Sequence, residues 1–110
     1  MAANSPDLVP GTLDMLILRT LSLGPMHGYG IAQHIERTSA DVLRVEKGSL
    51  YPALERLLRA GWVIAKWGRS PTGRRARYYT ITAAGRRGLG LEVSAFQAMY
   101  AAISRVLKTT

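Results

Sequence analysis

The sequence predicts a mainly α domain that carries one small β-hairpin and ends in a long helix. Three observations lead there: three short segments whose apolar residues recur with helical spacing, a later pair of segments rich in alternating aromatic and β-branched residues, and a last stretch with heptad spacing. At 110 residues the chain is long enough for one ordinary domain and too short for two.

Residues 1–10 hold Asn, Ser, Asp and Pro without periodicity and read as a flexible arm. From Thr12, Leu13, Leu16, Ile17 and Leu21 fall on one helical face until Leu23-Gly24-Pro25 ends the run. A second helix carries Ile31, Ala32 and Ile35, with Tyr29 near its start, and Thr38, Ser39 and Asp41 break it. After an extended connector at Val42–Val45, a third helix places Leu50, Leu54, Leu57 and Leu58 together and stops at Ala60-Gly61. Proline belongs in a first helical turn, so Pro52 predicts a start close to Ser49, with Ser49 as N-cap. The period then shortens to two over Trp62–Trp67 and Arg77–Thr82, a hairpin with a basic tip rich in Gly and Pro. Thr82 caps a last helix of about Ala83 to Leu107, along which Leu89, Val93, Phe96, Tyr100, Ile103 and Leu107 are spaced alternately four and three. A seam of this kind meets another helix, which predicts a homodimer.

Three helices followed by a hairpin is the order of a winged helix-turn-helix, with the third helix as the recognition helix and the hairpin as the wing. The expected organisation is therefore an arm (1–10), a DNA-binding domain (11–82) and a dimerisation helix (83–110). Charge selects the same region independently. The chain carries 15 Lys and Arg against 7 Asp and Glu, a formal net charge of +8. From Arg44 to Arg87 the balance is +9, and the remainder sums to −1. Basic charge confined to the third helix and the wing points to an anionic partner at that face.

Other classes lack the residues they need. No cysteine is present, which excludes disulfides, thiolate zinc sites and thiol catalysis and fits a cytoplasmic protein. His27 and His34 are the only histidines and have no third nitrogen or sulfur ligand, so neither a metal nor another cofactor is expected. Gly28 and Gly30 follow no strand and lack the third glycine of a nucleotide fingerprint; a close helix approach suits them better. No catalytic triad or phosphate loop can be assembled, so an enzyme is not expected. No basic residue precedes Arg19, and that Arg interrupts the apolar run before it, so neither a signal peptide nor a membrane span is expected.

Four stretches in order carry a family resemblance: His27-Gly28-Tyr29-Gly30-Ile31, Gly48-Ser49-Leu50-Tyr51-Pro52-Ala53-Leu54 with Arg56-Leu57, Gly73-Arg74-Arg75 leading to Arg77-Tyr78-Tyr79, and Ile81-Thr82-Ala83-Ala84-Gly85-Arg86. With them the chain resembles the PadR-like transcriptional regulators, in particular the short members with a single C-terminal helix. The resemblance implies a homodimeric repressor that binds a roughly palindromic operator in double-stranded DNA and is released by a small effector. It also implies a dimer contact through the first and last helices. The chain departs from the family pattern at Ala83, where an acidic residue is common.

Ser49 and Tyr51, early in the recognition helix, are candidates for base and phosphate contacts, with capping and packing as their alternative roles. Lys47, just ahead of them, is a candidate phosphate ligand. Arg56 and Arg59 lie off the leucine face and either meet the DNA backbone or are solvated. Arg74 and Arg75 at the wing tip suit the phosphate backbone or the minor groove, while strand alternation leaves the face of Arg77 open. Trp62, Trp67, Tyr78 and Tyr79 read as core and cross-strand pairs. Phe96, with Met99 and Tyr100, either lines a pocket for an apolar, aromatic effector, as the resemblance implies, or simply fills the seam. The sequence thus predicts a sequence-specific, DNA-binding transcriptional regulator; the competing reading is a winged helix that binds DNA or RNA without sequence preference.

Overall fold

Helix α1 (Thr12–Leu21) is the hub of the molecule, because its Leu13, Ile17, Leu18 and Leu21 are all buried and face every other helix. The structure is a computed structural model that describes residue 8 and residues 11–109. The arm expected over residues 1–10 therefore lies outside the described residues, except for Leu8, which packs against the core. In chain order there follow β1 (Met26–His27), α2 (Gly28–Thr38), α3 (Lys47–Arg59), β2 (Val63–Arg69), β3 (Arg75–Ile81) and α4 (Ala83–Leu107). Ile31 and Ile35 of α2, Leu50, Leu54 and Leu57 of α3, and Val63, Tyr79 and Ile81 of the hairpin close one core around α1.

The hairpin is part of a larger sheet than the sequence suggests. Met26 pairs with Tyr79 and His27 with Tyr78, giving three antiparallel strands in the order β1-β3-β2. Two residues are too short to show an alternating period, so β1 leaves no local signal. His27 then turns the chain into α2 by accepting the Gly30 N–H on its Nδ1 at 3.0 Å. This histidine is an N-cap.

The recognition helix begins earlier than Pro52 implies. The Glu46 carbonyl accepts from both Ser49 and Leu50, so Lys47 is the first helical residue, Ser49 is the third and not the N-cap, and Pro52 lies in the second turn. Proline there deprives the Gly48 carbonyl of its helical partner. Gly48 is exposed, so water can take that place.

Helix α4 runs over the expected span, capped by the Thr82 hydroxyl, which accepts from Gly85 N–H at 3.0 Å. Its first turns press on Trp62: a Cβ at Gly85 would collide with the Trp62 carbonyl oxygen, and one at Gly88 would stand 2.5 Å from the indole. Leu89 is 8% exposed and belongs to the protomer's own core, and Val93 packs against that core. Both were expected in the dimer seam; Leu89 is instead taken up by the protomer's own core, and Val93, half-buried, is the last side chain to touch that core before α4 runs on with most of its residues exposed.

Candidate nucleic-acid interface

Two chain constraints hold α3 in place. Across the turn from α2, the Glu36 carboxylate accepts the Val45 N–H at 2.8 Å and stands 3.9 Å from the Arg44 guanidinium, which fixes the connector into the helix. Within the turn, Ala40 and Asp41 take left-handed backbone at φ 52° and 64°. At the other end Trp62 N–H returns to the Leu57 carbonyl and leads directly into β2.

Strand alternation settles the face of the wing arginines. In the register Val63 to Ile81, Ala65 to Tyr79, Trp67 to Arg77 and Arg69 to Arg75, these eight residues share one face of the hairpin. Val63, Tyr79 and Ile81 are buried at its base. Trp67, Arg75 and Arg77 extend the same face outward, where they meet Tyr51 and Glu55 of α3 and Tyr29 and Gln33 of α2 around an open cleft of about 800 Å³. The Arg75 guanidinium lies 4.7 Å from the centre of the Trp67 ring. Arg77 sits 5.8 Å from the Tyr79 ring, and its NH1 is 3.6 Å from Glu55 Oε2 across the cleft. Tyr51 reaches the cleft because α2 opens on glycine: a Cβ at Gly28 would stand 2.9 Å from the Tyr51 hydroxyl.

The sequence-predicted residues divide accordingly. Lys47 and Ser49 are exposed at the start of α3, and Tyr51 is 44% exposed on the cleft wall. Ser49 and Tyr51 stand about 200° apart around the helix axis, so they serve different flanks of α3. Arg74 lies in the tip, whereas Arg75 belongs to β3 and not to a flexible loop. The tip is itself tied down, since Ser70 N–H reaches the Arg74 carbonyl at 2.8 Å and the Arg69 guanidinium holds the Gly73 carbonyl at 2.8 Å. Arg56 points away from the cleft. It donates to Asp14 of α1 at 2.8 Å, and this hydrogen bond and the Asp14 charge raise its pKa. Among the described residues Lys47, Arg74 and Arg75 meet no carboxylate within 4.0 Å, which leaves their charge available to an incoming anion. Sequence reasoning missed Tyr29, Gln33, Trp67 and Glu55 as cleft residues. Counting forward by twos along the strand from buried Val63 would have found Trp67; the others depend on how distant elements meet.

The sequence profile of the Transcriptional regulator PadR-like family matches residues 17–91, from α1 through the wing to the exit of α4. This chain belongs to the PadR-like family. Its members are DNA-binding transcriptional regulators with a winged-helix fold, as expected from the four motif stretches. An uncharacterized protein of Lysinibacillus sphaericus is 30% identical over 80 residues, 73% of each chain. A transcriptional regulator from Clostridium thermocellum superposes with a TM-score of 0.84 at 25% identity, over 94% of this chain and all of the other. A PadR family transcriptional regulator from Eggerthella lenta gives 0.77 at 26% identity, over 91% and 85%. In this PadR-like chain no described helix is long and apolar enough to cross a membrane.

Beyond Gly90 the PadR-like α4 carries Phe96, Met99, Tyr100, Ile103 and Leu107 into solvent, 39–78% exposed. Helical spacing gathers them on one side, with Val106 at the edge. Phe96 and Tyr100 stack at 6.3 Å with 19° between their planes.

Proposed function

We propose that this chain is a homodimeric repressor whose two recognition helices read a roughly palindromic operator. The reading is carried by the cleft between α3 and the wing, where Arg75 and Arg77 share one strand face with exposed Trp67 opposite Tyr51. In this arrangement a DNA strand follows the cleft, with Arg74, Arg75 and Lys47 on phosphates, while Ser49 on the outer flank of α3 faces base edges. The apolar side of α4 supplies the partner contact, because Phe96, Tyr100, Ile103 and Leu107 are too exposed in one protomer for a helix that stands in water. An apolar aromatic compound entering beside the stacked Phe96 and Tyr100 changes the spacing of the two α3 helices and releases the DNA.

Selection from a pool of randomised duplexes tests the core of this reading. It should enrich two related half-sites in inverted order, about 34 Å or a multiple of it apart. Equal retention of all duplexes, or displacement by RNA as readily as by DNA, would instead support a winged helix without sequence preference.

A further inference from the structure

Between Arg44 and Arg87 the chain has only two acidic residues, Glu46 and Glu55. Glu46 stands at the N-cap of α3, where the helix dipole favours a carboxylate. Glu55 has no such reason to be acidic. It lies in the middle of α3, half-exposed on the rim of the cleft, with its Oε2 3.6 Å from Arg77 NH1 of the wing. The pair is not required to join these elements, because Leu54, Leu57, Val63 and Tyr79 already do so through the core, and an ion pair this exposed contributes little in water.

A carboxylate at this position repels any phosphate approaching the cleft, so it weakens binding to DNA of every sequence. In the major groove base edges offer a carboxylate two amino donors, cytosine N4 and adenine N6. Beside adenine N6 stands the N7 acceptor, which repels a carboxylate, so cytosine N4 is the better partner, whereas guanine O6 and N7 and thymine O4 are acceptors with no proton to give. We propose that Glu55 is a specificity-determining residue: it opposes all DNA, and the opposition is lifted best where a cytosine amino group lies beneath it. Charge and hydrogen bonding then balance. Glu55 neutralises Arg77 in the free protein; at the right site a phosphate takes Arg77 and the cytosine donates to Glu55, so neither is left alone. The inference rests on the DNA-binding reading above.

Glu55→Gln keeps the shape and removes the charge, and Glu55→Ala also removes any new donor. Each variant of the full chain is compared with wild type on the duplex that wild type selects and on a scrambled duplex of equal length. Both variants should bind the scrambled duplex more tightly, with the ratio of selected to scrambled affinity falling about tenfold, the scale of one lost base contact. Repeating the selection with either variant should erase a C·G preference at one position of each half-site. Equal changes on both duplexes with unchanged base preferences would overturn the proposal and make Glu55 a plain counter-charge. Wild type that binds both duplexes equally would overturn the operator reading, and this inference with it.

Discussion

Tyr79 joins the core to the wing: its ring is 4% exposed, it pairs with both β1 and β2, and the guanidinium of Arg77 lies beside it. Burial raises its phenol pKa above the ordinary value of about 10, although the neighbouring Arg77 charge pulls the other way. The sign of the linkage follows. A raised folded-state pKa favours the neutral phenol, so its contribution to stability is intact below about pH 10 and is lost as pH rises through the folded value. Melting temperature measured by circular dichroism from pH 8 to pH 11.5 should therefore fall less steeply on the alkaline side for Tyr79→Phe than for wild type. Parallel curves would mean that Tyr79 ionises without unfolding anything. Arg56 illustrates the opposite fate for a charged residue. It counts toward the basic block, yet its bond to Asp14 commits it to bracing α3 against α1.

The recognition helix and the wing should fail differently when altered. If Arg74 and Arg75 each neutralise one phosphate per subunit of the proposed dimer, the double alanine variant loses about four contacts and should shrink the slope of log K against log salt by roughly 3.6 while preserving specificity. Ser49→Ala should leave that slope unchanged and cost about 1–3 kcal/mol at the operator, with a much smaller loss on random DNA. Fluorescence anisotropy over a salt series separates the two, and equal losses on both DNAs for Ser49→Ala would remove Ser49 from base reading. The elements themselves were legible wherever the signal was local. The leucines of α1 and α3 mark their faces, and Thr82 marks the start of α4. Distant encounters left no such trace: β1 exists only because β3 pairs with it, Asp14 finds Arg56 across 42 residues, and Glu55 meets Arg77 only once the wing has folded back. The start of α3 was misread for a different reason. A rule about where proline is comfortable was outweighed by a glycine whose exposed carbonyl tolerates losing its partner.

At the scale of the whole molecule, the proposed homodimer rests on the apolar side of α4. Tyr100→Glu and Ile103→Glu alter residues 64% and 49% exposed in the protomer, so the fold should persist while light scattering reports a monomer and operator binding disappears. A dimer that survives both changes would place the partner contact elsewhere. The proposed release by an effector has its own check. Apolar aromatic compounds should lower operator affinity of wild type in a concentration-dependent manner and do so less for Phe96→Ala; identical responses would remove Phe96 from the binding site. What such a compound could accomplish mechanically follows from the way α4 is rooted. Gly85 and Gly88 bring the helix against Trp62 with no room for even a methyl group, and Leu89 is sunk in the core, so the joint between helix and domain has no slack. From Leu89 to Leu107 the helix is a lever of about 27 Å. With its root rigid, a pivot of some ten degrees where two such levers would cross in the proposed dimer is not absorbed locally but reappears as a displacement of roughly 5 Å at the far end, a large fraction of the width of a DNA groove.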